Sequence, residues 1–149
     1  MRFDVRQMAV SDIDVIEPQP RQAKSKNALS LVDWDSYWGT GFALTATWDG
    51  KPIAVAGMIE HLPGIAEGWA LFGRDVGPTQ MVPLFRSISR VVDSELKTAY
   101  HRFQVNVDKS FPQAVRMARM LRMRQEGVMV DYPTPGRSSI LFSRLKHGS

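Results

Sequence analysis

The segment Asp75-Val-Gly-Pro-Thr-Gln-Met-Val82 stands where an apolar, strand-like run ends and a long helical pattern begins. Backbone N–H groups at the start of a helix have no partner within it, and the dipole there is positive. A strand-to-helix junction of this kind can therefore hold a phosphate without any particular side chain. Pro78 removes one donor from the middle of that cradle, and proline favours a helix start on its own account, so the letters fit a plain turn equally well. A second set lies near the C-terminal end, where Arg116, Arg119, Arg122 and Arg124 interleave with Met117, Met120 and Met123. Such a stripe can dock a protein or a nucleic acid, or can be a solvated helix face with its stems packed on the core. Other chemistries find no support. With no cysteine there are no disulfides, thiolate nucleophiles or Cys-ligated metals. His61, His101 and His147 lack metal-ligand spacing, no nucleophile elbow is present, and no metal is expected.

The elements that position these residues are those of an ordinary globular chain. Its 149 residues are 44% apolar and 23% charged, enough for one core, and we expect one domain spanning 1–149. No apolar run approaches about 18 residues and no signal-like segment follows Met1, so neither a membrane span nor a secretory leader is expected. A net charge of +4 is too small to imply nucleic acid as a specific ligand.

Arg2 to Met8 alternates as a strand, and Ser11 offers an N-cap for a short helix through Ile16 that Pro18 and Pro20 end. A helix is expected near Ala28 to Trp38, with Ala28, Leu29, Leu31, Val32 and Trp34 as its apolar face. Phe42–Trp48 and Pro52–Ile59 read as strands joined by Asp49-Gly50, a hairpin signal. Leu62-Pro63-Gly64 turns the chain into a further strand at Gly68–Phe72. Met81, Leu84, Phe85, Ile88, Val91, Val92 and Leu96 then follow a spacing of three and four, which predicts a long amphipathic helix. Arg102–Asp108 alternates as a strand. Ser110 can cap a helix to about Met123, and strands follow at Gly127–Asp131 and Ser139–Leu145.

This order resembles the GNAT N-acetyltransferase family along essentially the whole chain. The implied fold is α+β, a mostly antiparallel sheet of about seven strands flanked by about four helices and splayed between strands four and five. The segments GFALTATWDGKPIAVAGMIEH (41–61), EGWALFGRDVGP (67–78) and LRMRQEGVMVDY (121–132) also resemble GNAT-like and internal virion proteins of short-tailed bacteriophages. In the family, the pantetheine of acetyl-CoA lies in the splay and its pyrophosphate rests on a loop of the form Gln/Arg-x-x-Gly-x-Gly/Ala. Arg74 and Gly77 match the first half of that loop, and Thr79 stands at its second small position. The resemblance thus implies cofactor contacts at Phe72, Arg74, Gly77, Thr79, Gln80, Met81 and Asp108, with the N–H groups of residues 77 and 79–81 as the cradle. Asp108 could instead cap the last helix.

The family's last helix carries Asn-x-x-Ala-x-x-x-Tyr-x-x-x-Gly-Phe-x-x-Glu-Gly. Registered on Glu126-Gly127, it places Ala114 on the alanine and Met123 on the phenylalanine, but Phe111 on the asparagine and Ala118 on the tyrosine. That tyrosine protonates the departing thiolate, so Tyr132 or water would have to replace it. Glu60, His61 and Glu67 stand where family bases are found, although a solvated strand end is the stronger reading of Glu60-His61. Trp34 and Trp38 lie on the segment that lines the family's acceptor site. The missing tyrosine and altered loop favour a virion-associated or interaction scaffold with a degenerate site over an active acetyl-CoA-dependent N-acetyltransferase. The scaffold's partners would be virion or host proteins meeting the Arg116/Arg119/Arg122 face, with synthesis in a host cytoplasm.

Overall fold

The computed structural model describes residues 2–147. In chain order it contains β1 (Phe3–Gln7), α1 (Ser11–Val15), a 3₁₀ turn (Pro20–Gln22), α2 (Ala23–Leu29), α3 (Trp34–Tyr37), β2 (Gly41–Trp48) and β3 (Lys51–Leu62). These are followed by β4 (Ile65–Phe72), α4 (Pro78–Thr98), β5 (Arg102–Asp108), α5 (Pro112–Met120), β6 (Arg124–Val130) and β7 (Ser138–Leu145). The seven strands are ordered β1-β2-β3-β4-β5-β7-β6. The β1–β2, β2–β3, β5–β7 and β6–β7 ladders are antiparallel, while β4 and β5 run parallel from Ile65↔Arg102 to Gly68↔Val105. The fold is the mixed α+β architecture expected from the order of elements. No helix among the described residues is long and apolar enough to cross a membrane.

The chain packs as two compact units, Met1–Ile59 with Trp69–Ile88, and Glu60–Gly68 with Ser89–Ser149. In the first, Met8, Ile13, Ile16, Tyr37, Ala43, Val55 and Leu71 form a buried cluster, with Trp34, Trp38 and Trp69 packed on it. In the second, Phe142 is fully buried in β7 opposite Val105 of β5, Phe103 and Val107 are buried in β5, and Met117, Ala118 and Leu121 are the buried residues of α5 and its C-cap. The Asp49-Gly50 turn has positive φ at both residues, 52° and 82°, as a type I′ hairpin requires.

Local chemistry moved several expected boundaries. The helix expected at 28–38 is two helices, because Asp33 accepts the Ser36 N–H and starts α3 afresh. Leu31, expected on its apolar face, sits in the break and is 87% exposed. Ser11 does not cap α1; Val10 occupies that position, and Asp12 accepts the Ala9 N–H instead. Ser110 does not cap α5 either, since its N–H and hydroxyl both donate to Asp108 while Phe111 takes the N-cap. The helix α5 ends at Met120 rather than Met123, and Arg122 follows with φ 61°, so the arginine stripe breaks after Arg119.

Asp12 shows how the first unit is tied together. Its buried carboxylate accepts from the two terminal guanidinium nitrogens of Arg6 at 2.7 and 2.8 Å, and from the Thr45 hydroxyl at 2.7 Å. The Arg6 bonds are the largest influence, and with Thr45 and Ala9 they outweigh burial to hold its pKa at about 2 instead of 3.8. A carboxyl with a depressed folded pKa stabilises fully above its unfolded value and loses that contribution as pH falls through the folded one. The difference is worth about 2 kcal/mol. Asp12→Asn is therefore expected to cost about that much at pH 7 in urea unfolding. The gap between variant and parent should close as pH falls from 4 to 2, and a gap constant with pH would refute the assignment.

Candidate active site

The junction between β4 and α4 is held by main-chain bonds on both sides. Gly73 N–H donates to Ile53 O of β3 at 2.7 Å, and a Cβ at Gly73 would meet that same oxygen at 2.6 Å, so only glycine fits. Gly77 N–H, expected in the phosphate cradle, instead donates to the Gln80 side chain at 3.0 Å and to Asp75 O at 3.1 Å. Gln80 thereby acts as the N3 half of a capping box. Met81 N–H, the other outer member of the cradle, closes the first helical turn on Gly77 O at 3.0 Å. Among the described residues, the N–H groups of Thr79 and Gln80 are left without an acceptor, and Pro78 has none to offer. They open a helix of 21 residues with no acidic residue in its first turn. The junction thus fits an anion through two donors rather than four.

Its charged neighbours are already engaged. Arg74 pairs with Glu17 at 3.0 Å and donates to Pro18 O at 3.3 Å, and Lys51 pairs with Asp75 at 2.9 Å. The main chain of Phe72 is engaged too: its N–H donates to Gln22 Oε1 at 2.7 Å, and its carbonyl accepts from Gln19 N–H at 3.0 Å. Gln22 is a residue that sequence reasoning passed over. It reaches β4 across 48 to 50 positions, and nothing in its local pattern distinguishes it.

Nearby in the same unit, Tyr37 gathers three partners. Its hydroxyl faces Phe42 O at 2.9 Å and Met58 O at 3.1 Å, and accepts Trp69 Nε1–H at 2.8 Å. Burial pushes the phenol up despite the bond that Trp69 donates to it, so it stays protonated at neutral pH. Trp34, Tyr37, Trp38 and Trp69 stack edge to face and tilted with centroids 5.0 to 6.3 Å apart. Rings that close are in mutual contact and leave no space for a cation between them. These tryptophans are packing groups whose outer faces can form a wall.

In the second unit, Glu67 lies within β4, which begins at Ile65 rather than Gly68. Its carboxylate accepts Gln104 Nε2–H at 3.2 Å and Asn106 Nδ2–H at 3.3 Å, two amides of β5. Gln104 is itself oriented by Arg102 at 2.9 Å, and Arg102 pairs with Glu126 at 2.7 Å. Of the three expected bases, Glu67 is the one with a fixed hydrogen-bond set; Glu60 and His61 are exposed at the end of β3. Asp108 is tied to Arg137 and Ser110. Burial would raise its pKa, and these partners outweigh that and hold it below the usual carboxylate range. It neither caps α5 by its side chain nor offers a free group to a cofactor. Tyr132 is 45% exposed in the turn before β7, with its backbone N–H bonded to Arg137 O. Ala118 is buried where the family tyrosine would stand. Arg116 and Arg119 border an open groove of about 560 Å³ with Lys109, Val115, Met120 and Ile140. Arg122 lies beyond the helix, 3.9 Å from Asp93.

No protein-family model and no curated protein matches the chain. Solved structures do. RimL, a ribosomal L7/L12 α-N-protein acetyltransferase in complex with coenzyme A, superposes with a TM-score of 0.72 at 10% identity, covering 97% of this chain and 94% of its own. The spermidine/spermine N-acetyltransferase SpeG from Vibrio cholerae gives 0.69 at 14% identity, covering 97% and 93%. A structure described as a "probable acetyltransferase" gives 0.77 at 12% identity, covering 98% and 94%. Likeness at such identities shows the fold, which is that of the GNAT acetyltransferases. None of these neighbours lends support to the virion reading.

Proposed function

We propose that this chain, with its GNAT fold, is an acetyl-CoA-dependent N-acetyltransferase acting on a primary amine. The observation that carries the reading is the pair of unengaged N–H groups at Thr79 and Gln80, which open α4 directly after β4. Bound acetyl-CoA would supply an activated acyl thioester. Thr79 and Gln80 would hold its pyrophosphate with the positive end of the α4 dipole behind them. Within the second unit, Glu67 is the carboxylate suited to take a proton from an amine, being kept in place by Gln104 and Asn106. Ala118 carries no proton to give a departing thiolate, so Tyr132 or solvent fills that role. The acetyltransferase reading is favoured over a scaffold because the anion junction and an oriented carboxylate both persist in the fold.

Glu67→Gln keeps the shape and the amide contacts while abolishing basicity. Turnover should fall about 100-fold, assayed as thiol release from acetyl-CoA with a panel of α-amino peptides and polyamines. Acetyl-CoA affinity should not change. Full activity in the variant would remove Glu67 from the mechanism.

A further inference from the structure

Past Gly68, where the β4–β5 ladder stops, the edge of β4 is covered by the chain's own residues Glu17–Gln22. Strand residues alternate in direction, and Gly73 N–H faces Ile53 on β3, so Phe72 and Arg74 turn their main chain to the opposite side. Four groups on that side are taken in order. Ala70 O accepts Gln22 Nε2–H at 3.0 Å, and Phe72 N–H donates to Gln22 Oε1 at 2.7 Å. Phe72 O accepts Gln19 N–H at 3.0 Å, and Arg74 N–H donates to Glu17 O at 2.8 Å, forming an antiparallel bridge at Pro18↔Gly73. A primary amide thus imitates one peptide unit of a neighbouring strand, and two residues of real backbone supply the next.

We propose that Glu17–Gln22 is a strap that occupies, in the free protein, the strand edge needed by the amide-bearing arm of the cofactor. Strap contact and cofactor binding are then mutually exclusive. This rests on the acetyl-CoA reading and adds its regulation. The pantetheine arm carries two secondary amides, and an extended diamide lies along a strand edge through the same N–H and C=O groups that the strap now holds. The strap is anchored at both ends, by Ile16, 1% exposed, and by Gln22, 8% exposed. Between them its outer fastening is the Glu17–Arg74 pair, whose side chains are 71% and 58% exposed, a weak tie in water. Lifting the strap also releases Arg74 from Glu17 and Pro18 O, and frees a cation three residues before Gly77. Opening one contact therefore supplies both the edge for the arm and a charge for the phosphates.

Two variants loosen the strap by different means. Gln22→Ala removes the amide. Gln19→Pro removes the N–H that reaches Phe72 O, at a position whose φ of −59° already suits proline. Full-length protein and both variants are titrated calorimetrically with acetyl-CoA, and amide hydrogen exchange at Phe72 and Arg74 is followed with and without coenzyme A. Each variant should bind at least about tenfold more tightly. Gln22→Ala removes two hydrogen bonds that binding would otherwise break, and Gln19→Pro removes the main-chain bond to Phe72 O together with the long side-chain bonds of Gln19 to Gly73 O and Val76 O. Protection at Phe72 and Arg74 should pass from strap to ligand, with Gln19 N–H losing protection as coenzyme A saturates. Binding of all three proteins with equal affinity, or Gln19 protection unchanged at saturation, overturns the strap and leaves the acetyl-CoA reading standing. Binding by none of them overturns that reading and the strap with it.

Discussion

Replacing Thr79 by glutamate is expected to weaken acetyl-CoA binding about 100-fold while the melting temperature holds or rises. The two outcomes separate because the same electrostatics act with opposite sign. A carboxylate in the first turn of a helix is favoured by the dipole and contributes about 0.3–1 kcal/mol to stability. Toward an incoming pyrophosphate the same carboxylate is a like charge beside the two N–H groups meant to receive it. The N–H groups themselves remain, so the cost is that repulsion, about 3 kcal/mol for like charges roughly 5 to 6 Å apart near a protein surface, which is about two decades in the dissociation constant. A general packing defect would lower stability and affinity together. Unchanged affinity would mean that the start of α4 does not hold the phosphates.

Gly73→Ala should be strongly destabilising, costing about 3 kcal/mol and lowering the melting temperature by about 10 °C. The reason is the 2.6 Å approach of the added Cβ to Ile53 O, with the Ile16 side chain at 3.3 Å. Ile53 is 3% exposed in β3, and its carbonyl already accepts Gly73 N–H at 2.7 Å. Neither group can retreat without breaking that bond, and Gly73 would carry the β4–α4 junction and the strap bridge with it. Thermal unfolding followed by circular dichroism checks this directly. A shift under about 2 °C would show that β3 yields more easily than a buried strand should.

Much of the fold was legible because its signals are local. Asp49-Gly50 fixes a hairpin through backbone conformation alone, and the three-four spacing from Met81 to Leu96 marks α4, of which Leu84, Val92 and Leu96 are buried. The place of the β4–α4 junction was legible for the same reason, as a strand end meeting a helix start. Its wiring was not. That Gly77 spends its N–H on Gln80 depends on a side-chain rotamer, and that Gln22 lies on Ala70 and Phe72 depends on a contact some 50 residues away. Capping was misread where a short polar side chain had a better partner nearby. Ser110 turned to Asp108, and Asp33 opened a new helix where spacing suggested a continuous one. Glu67 is expected as a base from its type and place alone, and its two amide partners belong to β5, 37 and 39 residues later.

The most direct test of the account is calorimetric titration of the purified chain and of Gln22→Ala with acetyl-CoA and with coenzyme A. The account predicts saturable binding with one ligand per chain, in the micromolar range for the parent and tighter for the variant, and nearly lost in Thr79→Glu. No heat of binding from either protein at millimolar ligand would contradict it, and the chain would then carry the acetyltransferase fold without its cofactor.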